Sequence, residues 1–304
     1  MSPLAFTQSL QRYLGIRVLF SDDGCPQHTR SRSPPGADNH HADTCVLTGL
    51  QSLAHHDLTH VWKTICTEAG VTRMTVEDAT VLNGPRAATK RAAMAARASQ
   101  RGSPRVFSMD LVIPHGALHG ASSAKLREKQ VLLDITIRSV AAPTIISSLK
   151  THQIPGAAAT KGQDDKMAHY EGTYVRSSQT LVPLVSESYG RLGPSATWFL
   201  GQLVEHWASR LTCVTDDEKA SLRAAKLGKF KQMLSVGLQN AMARREALYL
   251  QMLRTKQCSN VPVLDLLWDM ADSDGNTPDG PSMRSGSNKN KSSAGRKGTQ
   301  RRTQ

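Results

Sequence analysis

Two short apolar runs, each with a single acid set inside it, constrain this chain more than any other feature. The first, RVFSMDLVIP, surrounds Asp110 with Val106, Phe107, Leu111, Val112 and Ile113. The second, KQVLLDITIRS, surrounds Asp134 with Val131, Leu132, Leu133, Ile135 and Ile137. Bounded by Pro, Gly and Ser, such runs predict buried or half-buried strands. An ionised carboxylate inside an apolar strand is costly unless something compensates it. Were the strands neighbours and the acids ~4 Å apart, repulsion would be roughly 4 kcal/mol at an effective dielectric of about 20. A hard divalent cation is the natural compensation, and carboxylate oxygens suit Mg²⁺ or Mn²⁺. Downstream, DDKMAHY sets Lys166 and Tyr170 four residues apart, on one face of a helix. Two acids on adjacent strands plus a lysine are the parts of a metal-dependent phosphodiesterase site.

The 304 residues suffice for one sizeable core with a small appended module. Aromatics are sparse at 5%, so order is expected in the middle of the chain and looseness at its ends. A net charge of +13 favours an anionic partner, nucleic acid before a membrane. No transmembrane run and no secretory signal is legible. The five cysteines are scattered and odd in number, which argues for a reduced intracellular compartment, nuclear or cytoplasmic, over a disulfide framework.

Residues 4–20 read as a short amphipathic helix, a stop at Gly15 and a brief strand. The following VLFSDDG superficially resembles the acidic box of a polymerase palm, but too little chain precedes it to build that fold; an acidic turn is the alternative. Between Cys25 and Cys45, Cys25-x₂-His28 and His41-x₃-Cys45 form two close ligand pairs separated by a polar loop. Four such ligands fit a small tetrahedral Zn²⁺ site, with His40 an alternative to His41 and a histidine-bearing loop the bland reading.

Leu50, Leu53, Leu58, Val61, Trp62 and Ile65 mark a helix closed by Gly70. His55, His56 and His60 crowd its first half, as a metal site or as a polar face beside nucleic acid. VTRMTVEDATVL predicts a strand ending at Asn83-Gly84-Pro85, with Glu77 either a third acid of the site or a solvated strand position. The Ala/Arg/Lys-rich stretch 86–101 is a basic helix or, as the preferred reading, a solvated basic loop that touches DNA phosphates. LVPLVSES predicts another strand. Pro194 suits the first position of a helix buried through Phe199, Leu203, Trp207 and Leu211. A second long helix is capped near Thr215, with Asp216, Asp217 and Glu218 in its first turn. From about Asp272 the chain is Gly/Ser/Asn/Lys/Arg-rich and is expected to be disordered, adding salt-dependent affinity for nucleic acid.

In order, the Cys/His pairs, the His-rich helix, MDLVIP, VLLDITIRS, KMAHY and LVPLVSESYGRLG resemble the C-terminal region of site-specific non-LTR retrotransposon polyproteins. That region carries a zinc knuckle and a restriction-like endonuclease of the PD-(D/E)xK type, and the resemblance covers about residues 10 to 210. It implies an α/β fold: a mixed sheet flanked by helices, a small N-terminal Cys/His knuckle and C-terminal helices. It also implies that Asp110 and Asp134 bind Mg²⁺ (or Mn²⁺), that Lys166 orients water or steadies the phosphate, and that Tyr170 supports it. Cys25, His28, His41 and Cys45 would hold Zn²⁺. The chain departs from the pattern at Ser108-Met109, where Lys-Pro is usual. It departs again at Thr136, where many restriction nucleases carry the lysine, so Lys150 and Lys161 compete with Lys166 for that role. The implied organisation is a knuckle segment at 1–48, a nuclease domain at 49–211, a helical extension at 212–258 and a basic tail at 259–304. A reverse-transcriptase domain would lie outside these residues.

The function expected on these grounds is nicking of target DNA by phosphodiester hydrolysis, with a degenerate copy as one variant of that reading. The alternative is a non-catalytic zinc-knuckle protein that binds DNA or RNA. A third reading makes the acids structural partners of Arg105 or Arg138.

Overall fold

The computed structural model describes residues 50–101, 107–140, 143–151, 153–212 and 214–255. The Cys25/His28/His41/Cys45 set, Arg105 and the basic tail lie outside the described residues.

In chain order the elements are α1 (Leu50–Glu68), β1 (Thr75–Asp78), α2 (Ala87–Arg101), β2 (Met109–Ile113), α3 (Ala124–Arg127), β3 (Gln130–Arg138), α4 (Pro143–Leu149), α5 (Ala157–Tyr170), β4 (Gln179–Glu187), α6 (Pro194–Ala208) and α7 (Asp216–Thr255). The protein is α/β, a four-stranded mixed sheet flanked by helices. The strands lie in the order β1-β2-β3-β4, antiparallel across the first two pairs and parallel across the last. The parallel pair requires a crossover, supplied by α4 and α5. At the sheet's edge, β4 tolerates Pro183.

Strand alternation sorts the apolar side chains onto two faces. Leu111, Ile113, Val131, Leu133, Ile135, Val182 and Leu184 pack beneath α1, α6 and α7, around Trp62, Phe199 and Phe230. Val112, Leu132 and Leu181 face the other way, with Leu82, Ala87, Met94 and Tyr170 from the α2 region and α5. Because Phe230, Leu234 and Leu238 of α7 lie in the same core cluster as the strands, the helical extension is part of the main core.

Local chemistry sets the helix ends. Gly70 takes φ +95 past α1, with Val71 N–H donating to Cys66 C=O, a Schellman closure. Thr215 and Glu218 form a reciprocal capping box at the start of α7, with the Thr215 N–H donating to Glu218 at 2.8 Å. The stretch expected as a basic loop is instead the helix α2, held to the sheet through Ala87 and Met94. β1 is shorter than the sequence suggests, and Glu77 within it adopts φ +53 while Val76 and Asp78 on either side stay paired with β2. Among the described residues, no helix is long and apolar enough to cross a membrane.

Candidate active site

β2 and β3 bring the two acids into cross-strand register. The pairs Leu111–Leu133 and Val112–Leu132, carried one step further, set Asp110 opposite Asp134. On the other side, Val76–Leu111 and Asp78–Met109 bracket Glu77 opposite Asp110. The β2–β3 ladder stops before the acids. Ile135 N–H donates instead to the side chain of Asp110, at Oδ2 and 2.5 Å. Met109 packs in the same cluster as Val112, so strict alternation is lost around Asp110 and the two strands part there. The carboxylate of Asp110 lies in the opening.

From the helix above one face, His55 Nε2 reaches the same Oδ2 at 3.1 Å. Burial opposes charging His55. The hydrogen bond to Asp110 and the charges of Asp110 and Asp134 outweigh it, holding the imidazole pKa above its ordinary value. Neither of these two bonds uses Asp110 Oδ1.

Asp134 turns toward the other face and is 3% exposed. Lys166 Nζ lies 2.9 Å from Oδ2 and 3.1 Å from Oδ1. The Tyr170 hydroxyl donates to Oδ1 at 2.8 Å, and the Thr136 hydroxyl lies 3.3 Å from Oδ2. Lys166 and Tyr170 can do this together because they stand one turn apart on α5. The helix comes close enough because residue 162 is glycine: a Cβ there would meet Val185 Cγ1 and Arg138 Cγ at 2.9 Å. Burial pushes the Asp134 carboxyl above the usual carboxylate range; Lys166 pulls it back, and the charge of Asp110 adds to the rise. Burial and the charge of Asp134 drive the Tyr170 phenol far upward, so it serves as a hydrogen-bond donor. Phe107 stacks on Tyr170 with ring centres 5.5 Å apart, and His169 stands edge-on to both rings.

The remaining candidates are placed elsewhere. Glu77 is exposed, and none of the bonds above includes it. Lys161 pairs with Asp165 at 2.7 Å, Lys150 is exposed, and the lysine at Asp134 is Lys166. Arg138, the structural partner considered for the acids, binds Asp165 at 2.9 Å. His56 and His60 face each other at 3.3 Å while His55 turns to Asp110, so the three histidines do not converge. His55 is the site residue that sequence reasoning assigned differently. Its signal was its spacing, three residues before Leu58 and seven before Trp62, which sets it on the stripe facing the sheet.

The chain matches no family model, no curated protein and no solved structure.

Among the described residues no group of three or more His, Cys, Asp or Glu side chains gathers to cage a metal ion. Mg²⁺ does not require one: it is commonly bound through one or two carboxylates, with water and substrate phosphate completing its shell. Asp110 and Asp134 are hard oxygen donors of the type such a site uses. Burial is the main cause that raises the Asp134 pKa, and the charge of Asp110 adds to it.

Proposed function

We propose that this protein is a restriction-like, Mg²⁺-dependent DNA endonuclease, related to the nuclease region of retroelement polyproteins, that hydrolyses a phosphodiester bond at the β2–β3 opening. The observation that carries this reading is the alignment of Asp110 and Asp134 across two parting strands, with Lys166 delivered to the second acid from α5. Mg²⁺ bound there would activate water and neutralise charge at the scissile phosphate. Asp110 and Asp134 would supply the oxygens that hold the ion. Lys166 supplies a compact positive charge for the phosphate. Tyr170 and Thr136 fix the Asp134 carboxylate by hydrogen bonding, and His55 with Ile135 N–H fix that of Asp110. The +13 charge of the chain supplies unspecific attraction to the duplex.

One observation favours a second reading, a non-catalytic nucleic-acid-binding protein. Asp134 is already satisfied by Lys166 and Tyr170, as a purely structural buried acid would be. The two readings separate on nicking of supercoiled plasmid with and without Mg²⁺. The nuclease reading expects Mg²⁺-dependent nicking that Asp110→Asn abolishes while DNA affinity is retained. Salt-dependent binding with no nicking would leave only the binding protein, and nicking unchanged in Asp110→Asn would remove Asp110 from the catalytic assignment.

A further inference from the structure

Past the end of α5, Arg86 and Lys90 form a short basic ridge, and neither makes an ion pair among the described residues. Arg86 N–H donates to Gly172 C=O at 2.8 Å, which docks the start of α2 beside the end of α5. The Arg86 side chain lies over Gly172, two residues past the end of α5 and six beyond Lys166. Lys90, one turn further along α2, lies within electrostatic reach of Arg86 and of His169. Arg91, their neighbour, is committed elsewhere: its guanidinium donates to the carbonyls of Ala79 and Leu82 at 2.7 and 2.5 Å. Partial burial lowers the Lys90 pKa, the neighbouring Arg86 adds to that, and Glu171 opposes it.

We infer that Arg86 and Lys90, with His169 between them and the acids, hold the DNA backbone phosphates next to the one that meets Lys166. Contacts of this kind fix register on the duplex without reading its sequence. The inference rests on the nuclease reading for its location at the cleavage site, but the basic ridge binds DNA whether or not the acids are catalytic.

The test measures binding of the full chain to a short labelled DNA duplex across a salt series. Arg86→Gln with Lys90→Gln should shrink the slope of log K against log salt by about 2, near 0.9 for each phosphate no longer neutralised. The charge-keeping Arg86→Lys with Lys90→Arg should restore it. Lys125→Gln, on α3, should leave most of the slope in place. An unchanged slope in the Gln pair, or an equal loss in Lys125→Gln, would overturn the ridge. Tighter binding of an RNA duplex that equally depends on these two residues would overturn its assignment to DNA. If the parent nicks while the slope does not move, the nuclease reading survives and the ridge falls. A shrunken slope in a protein that never nicks would do the reverse.

Discussion

Replacing Asp134 by asparagine separates what this acid does for the fold from what it does for chemistry. The side chain is 4% exposed and receives Lys166 at 2.9 Å and Tyr170 at 2.8 Å. Removing one partner of a fully buried pair typically costs 3–5 kcal/mol. The cost here is smaller, because the Lys166 side chain is 26% exposed and can swing its ammonium toward water. Tyr170 also keeps an amide oxygen to donate to. The expected loss of stability is therefore about 1–3 kcal/mol, read from urea unfolding. If Asp134 holds the catalytic cation, nicking should fall at least about 1,000-fold, equivalent to about 4 kcal/mol of transition-state stabilisation. DNA affinity should hold within a few-fold. Adding Lys166→Met to Asp134→Asn should recover part of the stability, since the buried cation leaves with its partner, and none of the nicking. A mutant that loses stability as stated but nicks within tenfold of the parent would refute the catalytic role and leave Asp134 a structural acid.

Lys166→Met alone should abolish nicking at saturating DNA. A lysine at Thr136, whose hydroxyl lies 3.3 Å from Asp134, should return part of the rate when combined with it, as single-turnover nicking would show. Glu77→Gly should stabilise the protein by about 0.5–1 kcal/mol in urea, because glycine accepts φ +53 without strain, and should leave nicking intact; loss of nicking would return Glu77 to the site. His206 is 1% exposed, accepts the Gly120 N–H at 3.2 Å, and has its pKa lowered from 6.5 to about 4 by burial and by the His119 and Arg210 charges. Since the unfolded state then binds the proton first, its contribution is full above about pH 6.5 and is lost as the solution is acidified toward pH 4. Between those limits the parent should lose about 3 kcal/mol more than His206→Asn; equal losses would show that His206 does not stay neutral in the fold.

The parts of this fold legible in the sequence are those governed by neighbours along the chain. β3 and β4 follow from short apolar runs rich in Val, Leu and Ile, α6 from Pro194 at its start, and α7 from the Thr215/Glu218 box. The one-turn spacing of Lys166 and Tyr170 likewise fixed a shared helix face before any sheet was known. What escaped depends on contacts distant in sequence. α2 reads as a basic loop because its apolar face is thin, and only the docking of Ala87 and Met94 on the sheet makes it a helix worth keeping. The partnership of His55 with Asp110 requires α1 to lie above the end of β2, which no local pattern specifies.

The opening between β2 and β3 also decides how Asp110 must be tested. Its Oδ2 accepts the N–H of Ile135, the place a main-chain carbonyl of β2 would hold had the ladder continued. Asp110 is thus a strand-pairing group as well as a candidate ligand. Asp110→Ala leaves that N–H and His55 without an acceptor in a part-buried setting, and an orphaned donor costs about 1–3 kcal/mol. Asparagine keeps a carbonyl oxygen in the same position and removes only the charge. Asp110→Asn should therefore unfold within about 1 kcal/mol of the parent, and Asp110→Ala should fall below it by the cost of the orphaned donor. Both should fail to nick, but only the asparagine variant shows that charge, not strand pairing, is what the reaction needs. If asparagine destabilises as much as alanine, the Ile135 bond is not what holds the strands at this point, and Asp110 is no strand-pairing group.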